Sequence, residues 1–331
     1  MSFLLTVAIP TYKRPALLKK CLESIFSQAS PDWLRVVVFD DSLSNINESV
    51  GRWAESQYSN FDLILNNENL GIDRNIEKCL NVDEGDYILV LGEDDVLMPG
   101  GAECIKAILQ ERHVDILFTN YVYLNNSLTE VIRAPFRESG SIEPRLFVEK
   151  YLWAIGFVGG CVFSSDFMRK SKRRFLGTYF NHVGRIGHVM DWNTKIEAAP
   201  APLIGNRADD ISTATWSKSF YDVLFGFEGL MDTLAKVSPL NGAFLVAKES
   251  FRKAMGHHSI VRVAVMRSYG IYDRSTFDLH FSPIVSGLKR QMLKQISCAP
   301  TWLFVPLRKS VDILRLIKRM TYQVPERVAL K

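Results

Sequence analysis

The sequence predicts an α/β fold, with a mostly parallel sheet flanked by helices and a C-terminal helical extension. In the first 120 residues, short apolar runs alternate with segments whose apolar residues recur at helical spacing. The runs are continuous rather than alternating with polar residues, which is typical of strands buried on both faces of a parallel sheet. Each run ends in polar residues, and ligands of such sheets bind at the carboxyl ends of the strands.

The elements of this half follow one another closely. The first strand leads through a turn, residues 10–15, into a helix with Leu18, Leu22 and Ile25 on one face. The second strand contains three consecutive valines, 36–38. In chain order we expect strand 4–9, helix 15–28, strands 34–39 and 61–65, helix 72–82, strand 87–91, helix 100–112 and strand 115–120.

The pattern changes after this half. Residues 121–144 indicate irregular or antiparallel structure, 146–156 a helix, and 159–164 a short strand that begins with two glycines. Further helices are expected over 217–236, 241–269, 283–297 and 306–320. We therefore predict one domain over 1–215, with two halves over 1–120 and 121–215, and a helical region over 216–331.

Composition is that of an ordinary globular protein. Of 331 residues, 47% are hydrophobic and 23% are charged, enough for one large domain or two smaller ones. The five cysteines form no Cys-x-x-Cys pair, so we expect free thiols in a reducing compartment. The first residues lack the basic leader of a signal peptide, and no run of about 18 apolar residues occurs. These features predict a cytoplasmic protein.

Positive charge is concentrated near the C-terminus. Residues 283–331 contain ten Lys or Arg against two acidic residues, a net of +8, so residues 1–282 carry −4 of the overall +4. In the last predicted helix, Leu314, Ile317 and Met320 recur among basic residues. This pattern predicts contact with an anionic membrane surface, on the inner face of the cytoplasmic membrane. A helix packed on the body or on a second subunit is the alternative.

Three adjacent carboxylates, Glu93, Asp94 and Asp95, follow the apolar run at 87–91. Like charges at the mouth of a buried strand repel one another and lose hydration, so they persist where a cation, a polar ligand or water compensates them. Carboxylates together with substrate phosphate oxygens are common ligands of Mg²⁺ and Mn²⁺. The triplet therefore predicts a divalent-cation site for a diphosphate, with a solvated acidic turn as the alternative.

Four short motifs occur in order in the first 95 residues. They are Val7–Arg14 (VAIPTYKR), Val38–Ser42 (VFDDS), Asn69–Gly71 followed by Arg74 and Asn75, and Gly85–Tyr87 leading into the acidic triplet. In this combination the chain resembles the inverting family-two nucleotide-sugar glycosyltransferases of GT-A fold. Residues 160–215 resemble, more loosely, the O-antigen sugar transferases typified by abequosyltransferase.

The resemblance implies that residues 1–120 form a nucleotide-binding half and residues 121–215 an acceptor-binding half, and it implies a role for each matching residue. The Pro-Thr-Tyr turn and Asp41, the second Asp of the Asp-Asp-Ser motif, would hold the nucleotide. For Asp40, the first Asp of that motif, capping of a helix or turn is the alternative role. Asp95 would bind Mn²⁺ or Mg²⁺, with Glu93 as a further metal-site residue and Asp94 beside the ribose or donor sugar. The implied nucleotide- and donor-binding residues are Pro10, Thr11, Tyr12, Arg14, Asp41, Arg74, Asp94 and Arg207.

An inverting transfer also needs a general base that takes the proton of the acceptor hydroxyl. Most relatives use a Glu-Asp pair, and the sequence has none between 150 and 215. Two candidates remain there, His182 and Asp191, of which the imidazole suits the task best near neutral pH. A structural histidine bonded to a backbone carbonyl is the alternative for His182. Gly156–Phe163 resembles the family's acceptor-side loop.

The sequence therefore predicts a hexosyltransferase-type enzyme. It would transfer a sugar, with inversion, from a nucleotide-diphosphate sugar to a hydroxyl of a glycan or lipid-linked acceptor in surface polysaccharide synthesis, and no nucleic-acid partner is expected. A nucleotidyltransferase acting on sugar phosphates normally opens with a glycine-rich phosphate loop, which residues 10–15 lack. A non-catalytic glycan-binding protein of the same fold is the other alternative.

Overall fold

The computed structural model describes residues 3–28, 32–82, 84–208 and 220–320. Two compact units can be distinguished. Among the described residues, the first unit comprises those up to Ala208 together with Leu230–Ala247, and the second comprises 220–229 and 248–320. The domain boundary expected at residue 215 lies outside the described residues and stays a prediction.

The described strands all belong to the first unit. They are β1 (Phe3–Thr11), β2 (Leu34–Asp40), β3 (Phe61–Leu65), β4 (Gly85–Val90), β5 (Val96–Leu97), β6 (Ile116–Phe118), β7 (Val122–Leu124), β8 (Val131–Arg133), β9 (Gly140–Ile142), β10 (Cys161–Ser164), β11 (Ile196–Ala198) and β12 (Ile204–Arg207).

The helices are distributed over both units. They are α1 (Pro15–Phe26), α2 (Glu48–Gln57), α3 (Ile72–Leu80), α4 (Gly101–Glu111), α5 (Pro144–Tyr151), α6 (Ser165–Arg169), α7 (Asn181–Val189), α8 (Phe220–Val237), α9 (Asn241–Met255), α10 (Ile260–Ser268), α11 (Arg274–Thr276), α12 (Gly287–Cys298) and α13 (Val305–Met320). Residues of α8 and α9 contribute to both units.

The main sheet has eight strands in the order β3-β2-β1-β4-β10-β6-β11-β9. Six strands run parallel, and β10 and β9 run antiparallel to them. Strand β1 lies between β2 and β4, so that Val7 is opposite both Val36 and Leu89. This confirms the predicted mostly parallel α/β sheet flanked by helices, with a helical C-terminal region. The carboxyl ends of β1, β2 and β4 consequently meet at one edge.

The antiparallel β10 connects the two halves of the main sheet, because it pairs with β4 on one side and β6 on the other. A second, smaller sheet has the order β5-β12-β7-β8. Strand β5 follows the acidic triplet directly, and its partner β12 ends at Arg207. The small sheet therefore brings residues near 206 close to the end of β4.

The core of the first unit consists of the main sheet and the helix faces against it. Leu5, Val7 and Ile9 of β1 are at most 1% exposed. Helix α1 begins at Pro15, whose fixed φ suits the first helical position, and it buries Leu18 among its inward-facing residues. The continuous apolar strands and the periodic helix thus lie where their patterns predict.

One predicted helix of the C-terminal region is interrupted. The pattern over 241–269 forms two helices, α9 and α10, because Gly256 adopts a left-handed φ of +59° that cannot continue an α-helix. The hydroxyl of Ser259 then caps the new helix by accepting from the Arg262 amide at 3.5 Å.

The second unit exposes several large apolar side chains. Leu288 is 72% exposed and Trp302 is 68% exposed, and Lys289 and Arg290 next to Leu288 are exposed as well. Among the described helices, none combines the length and the apolar character needed to cross a bilayer.

Candidate active site

The candidate site lies at the carboxyl ends of β1, β2 and β4. Three polar segments that the sequence singled out, residues 10–14, 40–42 and 93–95, follow these strands and contact one another there. The Asp41 amide donates to the Thr11 carbonyl at 3.0 Å, and the Lys13 amide donates to Ser42 Oγ at 2.9 Å. The parallel sheet therefore gathers the predicted groups at one edge, as expected from their positions after strands.

Glu93 holds the turn between β1 and α1. Its Oε2 accepts from Thr11 Oγ1 and from the Tyr12 amide, the latter at 2.9 Å, and its Oε1 lies 3.5 Å from Arg14 Nε. Burial raises the pKa of Glu93 to about 7, although the hydrogen bonds and the Arg14 charge oppose this shift. Since both oxygens face the turn, Glu93 positions this turn, and its part in a metal site stays a prediction.

Asp94 forms an ion pair with Arg14, whose Nη1 lies 2.9 Å from Asp94 Oδ2. Both side chains are partly exposed, at 26% for Asp94 and 30% for Arg14. Arg14 thus lies between two members of the acidic triplet and offsets part of their charge. An anionic ligand at this edge would meet a cation that the protein already holds in place.

Asp95 is the most deeply buried member of the triplet, with 3% of the residue exposed. Its Oδ1 accepts from Asn206 Nδ2 and from the Arg207 amide, both at 3.2 Å. Burial, followed by the charge of Asp94, raises the pKa of Asp95 well above its usual range. A divalent cation at this position would favour the charged form of the carboxylate.

Gly92 makes room for the Asp95 carboxylate. A Cβ at Gly92 would lie 2.4 Å from Asp95 Oδ2 and 3.3 Å from Asp94 Oδ1, so only glycine allows these two oxygens to approach the same point. Two converging carboxylate oxygens fit the donor set of Mn²⁺ or Mg²⁺, which is completed in many proteins by substrate phosphate. The residues present therefore fit a divalent cation held by Asp94 and Asp95.

The two aspartates at the end of β2, Asp40 and Asp41, hold neighbouring loops. Asp40 accepts from Ser42 and from Asn47 Nδ2 at 3.0 Å, which is the turn-capping role given as its alternative. Asp41 accepts from the Leu70 amide at 2.8 Å and the Gly71 amide at 2.9 Å. Asp41 thus fixes the Asn-Leu-Gly turn that precedes α3, and its contact with a nucleotide stays a prediction.

Two further predicted binding residues are exposed. Tyr12 is 44% exposed, with the Lys13 ammonium 4.9 Å from its ring centroid. Arg74, in the first turn of α3, lines a cavity of about 650 Å³ together with Leu70 and Phe39. The cavity extends to Arg35 and Glu84 near the amino ends of β2 and β4, and no residue of 10–14 or 93–95 lines it. Both side chains are therefore accessible to a ligand. Pro10 is the penultimate residue of β1, and it is partly buried.

The acceptor-side loop also lies at this edge of the sheet, because it enters β10 beside the end of β6. Thr119 holds the loop, with its Oγ1 donating to the Gly159 carbonyl at 2.9 Å and its amide to the Gly160 carbonyl at 3.0 Å. A Cβ at Gly159 would lie 2.7 Å from the Phe157 ring. The glycines are thus required by packing within the loop.

His182 is buried against a backbone carbonyl. It is 2% exposed, and its Nε2 donates to the Ile155 carbonyl at 2.8 Å. Its Nδ1 is buried and has no hydrogen-bond partner among the described residues. Burial lowers the pKa of His182 to about 4. The contact with Ile155, directly before the acceptor-side loop, fits the structural role given as the alternative for His182, and its role as general base stays a prediction.

Asp191 lies at the other edge of the sheet. It precedes β11, which runs parallel to β6, and the Lys195 amide donates to Asp115 where both strands begin. Its Oδ1 accepts from the Asn193 amide at 2.9 Å. The acidic triplet follows the carboxyl end of β4, so the structure does not bring Asp191 to the candidate site, contrary to the prediction.

Asp73 is a positioning residue that the sequence patterns did not single out. Its Oδ2 accepts from the Gly177 amide at 2.7 Å and from the Tyr179 amide at 3.0 Å. It thereby connects α3 of the nucleotide-binding half to the loop before α7. A polar residue in the first turn of a helix is common, so only the spatial closeness of residues 73 and 177 reveals this role.

The protein-family model described as Glycosyl transferase family 2 matches residues 6–171 of the chain. Among curated relatives, an uncharacterized protein of Mycobacterium tuberculosis is 34% identical over 116 residues, which is 35% of either chain. Abequosyltransferase RfbV of Salmonella typhimurium is 29% identical over 201 residues, 54% of this chain and 59% of the relative. The chain thus spans between about a third and three fifths of the length of the curated relatives that it matches.

Solved structures resemble the chain over most of its length. TarS 1–349 of Staphylococcus aureus in complex with UDP-GlcNAc gives a TM-score of 0.59 at 14% identity, with 94% of this chain and 92% of that chain covered. The mannosyltransferase PcManGT of Pyrobaculum calidifontis, in complex with GDP-Man and Mn²⁺, gives 0.53 at 13% identity, with 97% and 88% covered. At these identities the likeness concerns the fold alone, and it confirms the GT-A-type architecture.

Gly92→Ala should weaken binding of Mn²⁺ by about 10- to 100-fold, the range seen when the support of a metal ligand is disturbed. The added methyl group would displace the Asp95 carboxylate, which lies 2.4 Å from its position. Titration of the free-Mn²⁺ signal by electron paramagnetic resonance measures the affinity. Gly242→Ala is the matched control, because a Cβ there meets nothing within 4 Å. Equal affinities in both variants would contradict the assignment.

His182→Gln should remove a pH dependence of stability. With a pKa of about 4 in the folded protein and an ordinary value of 6.5, His182 binds its proton mainly in the unfolded state between these pH values. Stability of the native chain should therefore decrease as pH falls from about 6.5 to 4, by up to about 3 kcal/mol. Urea unfolding at several pH values measures this decrease. A slope unchanged in the variant would show that His182 is not the group responsible.

Proposed function

Since the chain belongs to glycosyl transferase family 2, we propose that it transfers a sugar from a nucleotide-diphosphate sugar to a hydroxyl of a glycan or lipid-linked acceptor in surface polysaccharide synthesis. The reaction would proceed with inversion and would depend on Mn²⁺ or Mg²⁺. The observation that carries the proposal is the convergence of the Asp94 and Asp95 oxygens beside Gly92, at the edge where Tyr12 and Arg74 are exposed.

The donor would bind across the ends of β1, β2 and β4. Tyr12 offers an aromatic ring for the base, and Arg14 and Arg74 offer positive charge for the diphosphate. Asp94 and Asp95 would hold the cation, which supplies Lewis-acid stabilisation of the leaving diphosphate. Asp41 and Glu93 would position the two loops that carry these groups, and Arg207, whose amide donates to Asp95, would contact the donor.

Two related structures support this arrangement by what they contain. TarS was solved with UDP-GlcNAc, and PcManGT was solved with GDP-Man and Mn²⁺. RfbV, an abequosyltransferase, and a Campylobacter jejuni β-1,3-glucosyltransferase named for an undecaprenol-linked glycan are among the curated relatives. We infer a nucleotide-sugar donor and a polysaccharide-type acceptor for this chain from these similarities.

Asp95→Asn should abolish transfer and the Mn²⁺-dependent part of donor binding, because the amide keeps the shape of the side chain and loses its charge. A thermal-shift screen with UDP-, GDP-, CDP- and dTDP-sugars, with and without Mn²⁺, identifies the donor first, since a ligand of the native state raises Tm. Asp278→Asn, at a surface ion pair of the second unit, is the control.

The screen, combined with assays of sugar transfer, donor hydrolysis and diphosphate release, distinguishes the alternatives. Unchanged Mn²⁺ dependence in Asp95→Asn would contradict the metal assignment. Donor binding without transfer or donor hydrolysis would indicate a glycan-binding protein, and release of diphosphate from a nucleoside triphosphate and a sugar phosphate would indicate a nucleotidyltransferase.

We further propose that the second unit contacts an anionic membrane surface, on the inner face of the cytoplasmic membrane. Leu288 and Trp302 are exposed apolar side chains in a segment with exposed Lys289, Arg290 and Lys294. Exposed apolar area combined with positive charge is typical of proteins that lie on anionic bilayers. A lipid-linked acceptor would present its hydroxyl near such a surface.

Replacing Lys289, Arg290 and Lys294 by glutamine should weaken sedimentation with phosphatidylglycerol vesicles, on the order of tenfold or more, because each basic residue near the surface adds affinity. Salt should weaken binding of the native chain in the same assay. A control variant replaces Lys19, Lys20 and Arg52, which are equally exposed in the first unit. Equal binding to neutral and anionic vesicles would remove the electrostatic part of the proposal.

A further inference from the structure

One carboxylate and two imidazoles converge in the second unit. Glu228 belongs to α8, and His257 and His258 lie in the connection between α9 and α10. Glu228 Oε1 accepts from Nε2 of both histidines, at 2.7 Å each. Glu228 is 4% exposed and His257 is 0% exposed. None of the three is among the residues of the candidate active site.

The ligand atoms of these side chains lie within 4.8 Å of one another. Among the residues that the structure describes, no other group of three or more His, Cys, Asp or Glu side chains comes this close. Two imidazole nitrogens with one carboxylate oxygen form a donor set that binds Zn²⁺ and leaves a fourth position for water. Mg²⁺ and Ca²⁺ prefer oxygen ligands, so the two nitrogens disfavour them.

We propose that Glu228, His257 and His258 form a second divalent-cation site, of zinc type, that connects α8 to the α9–α10 connection. A cation there would be distinct in ligands and in preferred metal from the ion expected at Asp94 and Asp95.

The neutral imidazoles can supply the lone pairs that such an ion needs. Each ring donates through Nε2 to Glu228 in the structure described, so binding requires its proton to move to Nδ1. At His257 the shifted proton would lie on a buried Nδ1 that has no acceptor among the described residues, and the bond from Nε2 to the ion has to offset this cost. The side chain of His258 is 20% exposed, so solvent can accept from its Nδ1 and the ion has a path of entry. No net proton is released.

Neighbouring groups fix the orientation of the three ligands. Arg252 Nη2 donates to Glu228 Oε2 at 2.6 Å and thereby directs Oε1 toward the histidines. The Phe225 ring lies 5.5 Å from the His257 ring and 5.3 Å from the His258 ring, roughly edge to face with both. The positive charge of Arg252 repels any cation at this site. An ion that forms strong bonds to nitrogen is therefore favoured over an ion that is held by electrostatic attraction alone.

The proposal is tested on the full chain, stripped of metal with a chelator and then dialysed. Addition of ZnCl₂ should raise Tm, and elemental analysis after gel filtration should find about one zinc ion per chain. Glu228→Gln and His258→Asn should each lower the zinc affinity at least about tenfold, as loss of a ligand requires. Asp95→Asn should retain the zinc, which separates this site from the candidate active site.

His280→Asn is the matched control. His280 also stacks on Phe225, with 4.9 Å between ring centroids, and pairs with Asp222, but it is not a member of the cluster. If Glu228→Gln does not fold, His258→Asn still tests the loss of a zinc ligand. As a second measurement, the visible absorption of bound Co²⁺ reports the nitrogen ligands directly. Absence of zinc-dependent stabilisation in the native chain, or an equal shift in the native chain and all variants, would overturn the proposal.

Discussion

Burial of two carboxylates at the end of β4 is the constraint on which the arrangement of the first unit depends. Glu93 is 7% exposed and Asp95 is 3% exposed, so each needs donors close by to offset its lost hydration. The donors come from distant parts of the chain: Thr11 and the Tyr12 amide for Glu93, and Asn206 with the Arg207 amide for Asp95. Satisfying these two groups therefore fixes the turn after β1 and the end of β12 relative to the end of β4.

Most of the fold could be predicted from the sequence, because its elements depend on local patterns. Continuous apolar runs predicted the parallel strands, and the rule that ligands bind at their carboxyl ends placed residues 10–14, 40–42 and 93–95 together. The break in the expected helix 241–269 was not anticipated. It depends on the left-handed conformation of Gly256, and a glycine within an apolar periodic pattern does not by itself indicate that conformation.

The site itself was predicted less completely, because side-chain roles depend on contacts between distant residues. The sequence supplied His182 and Asp191 as residue types suited to proton transfer, but it could not show that one is buried on a carbonyl and the other lies at the opposite edge of the sheet. Asp95 and Asn206 are 111 positions apart, and they meet only because β12 pairs with β5. The pairing of Glu228 with His257 likewise requires the packing of α8 against a connection that follows α9.

The position of β10 has a consequence for the order in which the chain folds. Strands β1 to β4 are complete by residue 90, yet β4 receives its second neighbour only when residues 161–164 have been made. Until then the growing chain presents an unpaired strand edge, on β4 and then also on β6, which another chain could pair with. Ribosome-bound or truncated chains that end before residue 161 therefore leave uncovered the edges of β4 and β6 that β10 covers in the full chain.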